Sequence, residues 1–204
     1  MKNFNITQIS IVIQVDIGNI SELRKKAFDE LLIANKEFNT SILSPIGIVY
    51  IKNSNNTNLI ITSNKITYIT RSSTLDEEFL IILRKIYEKL ILPQEIVLSF
   101  NIQATSDAEN SIQISKDIFN SKFNNVLGNF NDVSAVGYRF FINNNEMQCD
   151  IKLEPFLNND SKYIYQISGV LKNIIKIDDI KPKIDNQVES FKSYIESIMQ
   201  QMSR

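Results

Sequence analysis

The sequence predicts an α+β protein made of two β-α-β-β-β-α repeats, which form a curved antiparallel sheet with helices on one face. Three observations predict this fold. One pattern occurs twice without a gap, at residues 44–55 and 134–145, at a constant offset of 90 residues. Several segments alternate apolar and polar residues with period two, which is typical of half-buried strands. Others place apolar residues every three or four positions, which is typical of amphipathic helices.

The repeated pattern divides the chain into two units. Its copies agree residue type by residue type, and Gly47 corresponds to Gly137. A glycine inside a strand marks a bend, a bulge or a close backbone approach. We therefore assign residues 1–92 to a first repeat and residues 93–204 to a second, which has an insertion at 172–184.

Strands are predicted where β-branched residues alternate with polar ones and where asparagines supply turns. The predicted strands cover residues 8–16, 41–52, 59–63, 65–70, 95–103, 133–143, 147–153 and 162–171. Helices are predicted where an apolar stripe follows a capping residue. The predicted caps are Asn19 with Glu22, Thr74 with Glu77, Ser106 with Glu109, and Asp185. The first stripe comprises Ile20, Leu23, Ala27, Leu31, Ala34 and Phe38, and the third helix covers about 108–127. Pro182 disfavours a helix within the insertion.

Composition excludes several classes of function. The chain has 204 residues, a net charge of −1, one cysteine and no histidine. This charge lacks the basic excess of proteins that bind phosphate backbones. One cysteine without histidine excludes an intramolecular disulfide, a structural zinc site, serine triads and Cys-His dyads. No signal core and no membrane-length apolar run are present, which indicates a soluble, cytoplasmic protein.

The candidate binding site is an uncharged face of the predicted sheet. The two leading strands carry one apolar face for the helices, and their other face carries small polar and β-branched residues without formal charge. The candidate binding residues on it are Gln8, Ser10, Gln14, Ser99, Asn101 and Gln103. This face either contacts a partner, is solvated, or is covered by the other half of the protein.

Four further side chains are weighed for chemistry. Arg139 lies between two aromatic residues and either contacts a ligand or the other repeat, or forms a structural ion pair. Asp150 and Glu154 share a strand face, so they either hold a Mg²⁺ ion or mark the solvated face. Cys149 has no basic neighbour that would lower its pKa, which indicates a packed bystander. The sequence predicts no catalytic residue, no metal site and no cofactor.

The two predicted units resemble the TATA-binding-protein-like architecture. The strand-turn-strand segment at 59–70 is similar to one in that family, where a Ser-Gly-Lys type turn precedes a β-rich run. The resemblance implies a saddle that binds nucleic acid. The sequence departs from the family in three respects: Asn64 stands where glycine is usual, the phenylalanine pairs that wedge into the DNA minor groove have no counterpart at the matching turns, and the basic surface is missing.

Two other segments resemble a sporadically distributed family of bacterial proteins with no assigned activity. The acidic and aromatic helix start at 74–79 and the Gly-x-Arg-aromatic strand at 137–143 are similar to that family's segments. This resemblance implies no catalytic residue.

The leading hypothesis is a non-catalytic interaction module. It binds a protein partner, or a second copy of itself, through its sheet face or a sheet edge. The alternative is a nucleic-acid-binding saddle, which the net charge disfavours. An enzyme ranks third, because the chain lacks the usual catalytic groups.

Overall fold

One large antiparallel sheet runs through the protein, whose computed structural model describes residues 2–123 and 133–202. The strands are β1 (Lys2–Gln14), β2 (Thr40–Ser44), β3 (Gly47–Lys52), β4 (Thr57–Ile61), β5 (Lys65–Thr70), β6 (Glu95–Asp107), β7 (Tyr138–Asn143), β8 (Met147–Pro155), β9 (Lys162–Leu171) and β10 (Ile175–Lys176). Their order in the sheet is β2-β3-β4-β5-β1-β6-β9-β8-β7, and β10 also pairs with β6.

The described part of the chain forms four α-helices, which cover one face of this sheet. They are α1 (Glu22–Leu32), α2 (Glu77–Leu90), α3 (Ser111–Lys122) and α4 (Ile180–Met202). Side chains of α1, α2 and α4 join the buried strand residues in one hydrophobic core. Tyr138 and Tyr163 hold α3 on the same face, because their hydroxyls donate to the carbonyls of Ser115 and Ser111. Within the described residues, no helix combines the length and the apolarity needed to cross a membrane.

The two longest strands pair at the centre of the sheet and join the two halves of the chain. Ile11 of β1 lies opposite Phe100 of β6, and Ser10 lies opposite Asn101. Alternate residues of both strands are buried, as the period-two pattern predicts. The halves therefore lie side by side in one sheet, and neither half covers the sheet face of the other.

The strands follow the same order outward from this central pair. In the first half, β5, β4 and β3 follow β1; in the second half, β9, β8 and β7 follow β6. The first half ends in one more strand, β2. Its order is β-α-β-β-β-β-α, so the predicted β-α-β-β-β-α order is wrong by one strand there.

That extra strand arises because the predicted strand 41–52 is a hairpin. Pro45 and Ile46 form the turn, and Ser44 pairs with Gly47 across it. Proline presets the backbone of a turn and carries no N–H for a strand ladder. Gly47 then opens β3 with a φ of 150°, which a residue with a side chain rarely adopts.

The helix starts differ from the predicted caps. Helix α1 begins after Ser21, whose hydroxyl accepts from the backbone N–H of Arg24 at 3.3 Å, and not after Asn19. Helix α2 begins after Asp76 rather than Thr74. Each loop holds several residues able to cap, and packing selects among them.

The predicted stripe of the first helix is confirmed only in part: Phe38 is buried and Ile20 and Leu31 pack against the core. Within α1, Phe28 and Leu32 are the buried residues, whereas Leu23 is 80% exposed. A helix of only three turns can turn more than one side towards the core and still match a spacing of three and four residues. Contacts with the sheet therefore determine which of its residues are buried.

The third helix begins after Asn110, and the predicted cap Ser106 is wrong. Ser106 lies in β6, where its buried hydroxyl shares a hydrogen bond of 2.6 Å with the Tyr165 hydroxyl. The predicted end of this helix, at 124–127, lies outside the described residues.

The insertion at 172–184 contains β10, a 3-10 helix at Ile177–Asp179 and the start of α4. Pro182 lies in the first turn of α4, where backbone N–H groups have no intrahelical acceptor, so proline is tolerated. Asp185 is therefore not the cap. Its carboxylate accepts from Lys181 at 2.7 Å inside the helix.

A carboxylate links α1 to the edge of the sheet. Asp29 accepts hydrogen bonds from the fully buried Tyr50 at 3.0 Å and from Lys25 at 2.5 Å. Burial alone would raise the pKa of Asp29, but the hydrogen bonds from Lys25, Ser41 and Tyr50 outweigh it and hold this pKa below its ordinary value. Because folding favours the ionised form, Asp29 stabilises the fold above its unfolded pKa, about 3.9.

We expect Asp29→Asn to lower the free energy of unfolding by about 1 kcal/mol at pH 6, since the lost bonds involve a charge that is partly exposed. The difference from the wild type shrinks as the pH falls below about 3.9, because the wild-type carboxylate is then protonated. Urea unfolding at pH 6 and near pH 3 measures this. Glu30→Gln, an exposed residue of the same helix, is the control. A difference that does not depend on pH contradicts the role of the ionised group.

Candidate binding surface

The face of the sheet opposite the helices, hereafter the open face, is formed by alternate residues of nine strands. Backbone register places its side chains in rows across the sheet. One row at the centre contains Ile69, Ser10, Asn101, Ser168, Asp150 and Phe141. A neighbouring row contains Gln8, Gln103, Gln166, Lys152 and Arg139. The centre of the open face is therefore rich in amides and hydroxyls.

Hydrogen bonds order part of this polar centre. The side-chain amide of Asn101 donates to the Ser168 hydroxyl at 2.6 Å. Gln166 donates to the same hydroxyl at 3.1 Å. All three side chains are half-buried by their neighbours in the sheet. Fixed amides lose little conformational freedom on contact with a partner, so this centre is prepared for directional hydrogen bonds.

The structure brings six of the seven candidate residues together. Three lie on β1 and three on β6, in directly paired strands; they are Gln8, Ser10, Gln14, Ser99, Asn101 and Gln103. Arg139 lies on the same face but on β7, three strands away from β6. The alternative that the other half of the protein covers this face is wrong, because the halves are joined edge to edge.

In the first half, the open face is aliphatic, which the sequence interpretation missed. Its apolar members are Val12, Ile42, Val49, Ile51, Ile60 and Ile69. The signal was present in β3, where Ile48–Ile51 is apolar at consecutive positions rather than at alternate ones. A strand that is apolar on both faces is typical of one covered on both sides.

Arg139 forms a cluster with an acid and an aromatic ring at the outer part of the second half. Its guanidinium contacts both carboxylate oxygens of Asp150, at 2.9 and 2.6 Å. These hydrogen bonds lower the pKa of Asp150 and raise that of Arg139. The same guanidinium lies 4.7 Å from the ring centre of Phe141. The structural ion pair considered for Arg139 is present, and it holds an exposed ring in place.

A shallow depression of about 400 Å³ lies beside this cluster. Its lining includes Ser99, Phe141, Gln148, Asp150, Ser168 and Val170. Phe141 is 70% exposed and Val170 is 44% exposed. The depression thus combines apolar walls with hydroxyl, amide and carboxylate groups, a combination that suits a side chain of a bound protein.

The acidic and thiol groups in this part of the chain are arranged for structure. Asp150 forms an ion pair with Arg139, and Glu154 is exposed on the same face. Cys149 is buried, and burial and the charge of Asp150 raise the pKa of its thiol, so it is a weak nucleophile. Among the described residues, acids, cysteine and histidine form no group of three that could hold a metal.

No protein family and no curated protein matches the sequence. Among solved structures, the chain is similar to Methanococcus jannaschii TBP, with 15% sequence identity and a TM-score of 0.43. The match covers 94% of this chain and 99% of that chain. At these values the likeness concerns the overall course of the chain, and it carries no information on what this protein binds.

Proposed function

We propose that this protein is a non-catalytic binding module whose open face holds a protein partner. One observation carries the proposal: exposed apolar side chains lie on a sheet face whose centre consists mainly of amides and hydroxyls. Phe141, Ile42, Val170 and Val97 are 70, 51, 44 and 42% exposed. Exposed apolar groups on an ordered face mark interaction sites.

The distribution of polar groups suits a protein surface. Protein interfaces are depleted of charge at their centre and enriched in aromatic residues and arginine. The open face has this composition, with amides at the centre and with Arg139 and Phe141 towards one side. Amides both donate and accept, so they can satisfy the backbone or polar side chains of a partner.

Charges placed in this face test the proposal. We expect Asn101→Glu combined with Gln14→Glu to weaken partner binding at least tenfold, because an unpaired charge is costly in a buried interface. Phe141→Ala removes an apolar anchor and has a similar effect. The readout is the set of proteins captured from lysate of the source cells, quantified for each variant.

The control is Leu157→Ala, which removes an exposed side chain from the loop after β8. Circular dichroism and the urea midpoint verify that each variant is folded. Folded open-face variants that capture the same proteins as the wild type contradict the proposal. Loss of self-association in sedimentation identifies the partner as a second copy.

A nucleic-acid-binding saddle is the second candidate, and the amide-rich centre favours it. Amides can hydrogen-bond to base edges. Basic residues also lie on the open face, among them Lys65, Lys152, Lys162 and Arg139, but the acidic Glu95, Asp107, Asp150 and Glu154 lie there too. Binding to duplex DNA or RNA that weakens steeply with salt supports this candidate. No binding at low salt eliminates it.

We also propose that residues 1–92 and 93–204 are copies of one unit. The matching strand order outward from β1 and β6 supports this. Gly47 is the first residue of β3 and Gly137 immediately precedes β7, and these two strands hold corresponding places in that order. A superposition of the described residues of one half on the other tests it, with these two glycines expected to coincide.

A further inference from the structure

A groove on the helix side of the sheet lies between the start of α1 and the end of α2. It encloses about 300 Å³. Its apolar lining comes from Leu23, Ala27, Phe28 and Leu90. Phe28 is buried and belongs to the core, so the groove has a fixed floor. A groove of this size accepts a few aliphatic or aromatic side chains.

The two most exposed large hydrophobic side chains among the described residues occur at these helix ends. Ile91 is 92% exposed and Leu23 is 80% exposed. Leu23 lines the groove itself, and Ile91 follows the lining residue Leu90. Single exposed apolar residues are ordinary, but these two lie at the two helix ends that border an apolar groove, where one partner segment can cover both.

Ile91 is unfavourable for the free protein in a second way. It caps α2 in the left-handed conformation, with a φ of 54°. Glycine or asparagine is usual at this position, because a β-branched side chain is strained there. Glycine at this position would avoid both the backbone strain and the exposed apolar side chain. A bound partner that buries Ile91 would remove the exposure of its side chain.

The charges of the groove indicate which partner it fits. Arg24 and Lys89 line it, and none of the described residues that line it is acidic. Arg24 is fixed in place by a hydrogen bond of 2.6 Å from its guanidinium to the carbonyl of Ile17. Glu22 and Glu88 are sequence neighbours of lining residues but do not line the groove. An apolar groove with a basic rim is complementary to an apolar segment that carries acidic residues.

We propose that this groove binds an acidic amphipathic segment of a partner protein. Apolar side chains of the segment enter between α1 and α2, and its carboxylates face Arg24 and Lys89. Helical segments bind grooves in this manner through anchors spaced three or four residues apart. The site is separate from the open face, so its test does not depend on the function proposed above.

Two synthetic peptides of about four helical turns test the proposal. Both carry leucine and phenylalanine at three- and four-residue spacing; one has glutamate and the other has lysine at the polar positions. Fluorescence anisotropy measures their affinity for the intact protein. We expect the glutamate peptide to bind at least tenfold more tightly, with an advantage that decreases at high salt.

Variants then locate the site. We expect Leu23→Ser and Lys89→Glu each to weaken binding of the glutamate peptide at least tenfold. Ile91→Gly should raise the urea midpoint and still weaken binding, a combination that loss of folding cannot produce. Leu157→Ser is the matched control, because Leu157 is 63% exposed but distant in sequence from the groove, and it should leave affinity unchanged.

Three results overturn the proposal. The first is equal affinity for both peptides, or no binding of the glutamate peptide. The second is wild-type affinity in Leu23→Ser and Ile91→Gly. The third is a dimer in sedimentation that Leu23→Ser dissociates, since the occupant of the groove is then a second copy of this chain.

Discussion

Replacement of Gly47 by alanine is expected to lower the free energy of unfolding by about 3–4 kcal/mol. A Cβ atom added at this position lies 2.3 Å from the carbonyl oxygen of Ile61 and 3.2 Å from the Cα of Thr62. Both neighbours are backbone atoms, which cannot turn aside without breaking the β3–β4 ladder. The φ of 150° adds backbone strain for any residue other than glycine. Urea or thermal unfolding measures the effect.

Gly137→Ala is the matched control, since the sequence predicts equal roles for the two glycines. There an added Cβ lies 3.0 Å from Cγ of Glu154, an exposed and flexible side chain. We expect a change within about 0.5 kcal/mol, as for other surface substitutions. Equal losses in the two variants would show that the contact with Ile61 does not determine the requirement for glycine.

The alternating strands could be predicted because each has one buried face. The predicted bounds of the last long strand, 162–171, are those of β9. The hairpin at 45–46 could not be recovered by aligning the two copies, because only the first copy has a proline before its glycine. The proline of the first copy therefore determines the local backbone structure at 45–46, and the similarity between the two copies does not.

Helix starts were less predictable than strands. Asn19 and Ser21 precede the first helix within three residues, and each can accept the N-terminal hydrogen bonds. The structure selects Ser21, because the chain first follows the turn between β4 and β5 through the bond from the Ile17 N–H to the Ser63 carbonyl. That constraint is tertiary, and the local sequence does not contain it.

The polar centre of the open face could be predicted, because the two leading strands carry uncharged polar side chains on that face. The outer parts of the open face could not be predicted, because their composition depends on which strands pair. Phe141 reaches the open face since it lies opposite Asp150 in the β7–β8 ladder. A shift of one residue in that register would place it on the helix side, and the sequence alone does not determine this register.

A second glycine, Gly169, is expected to be almost as sensitive as Gly47. It lies in β9 directly opposite Phe100 of β6 and Cys149 of β8. An added Cβ would lie 2.6 Å from Cζ of Phe100 and 3.0 Å from Cβ of Cys149. An aromatic ring that covers a strand glycine compensates for the missing side chain, and this ring is only 3% exposed, so it has little space to move.

We expect Gly169→Ala to lower the free energy of unfolding by about 2–3 kcal/mol, because it overpacks the core between β6 and β8. A double-mutant cycle identifies the cause. In a Phe100→Leu background the shorter side chain leaves room for the new methyl group, so the loss should fall by about 1 kcal/mol or more. Urea midpoints of the wild type, both single variants and the double variant give the coupling. Strictly additive losses would mean that the ring of Phe100 is not the obstacle, and that the tight contact with Cys149 in β8 sets the requirement for glycine.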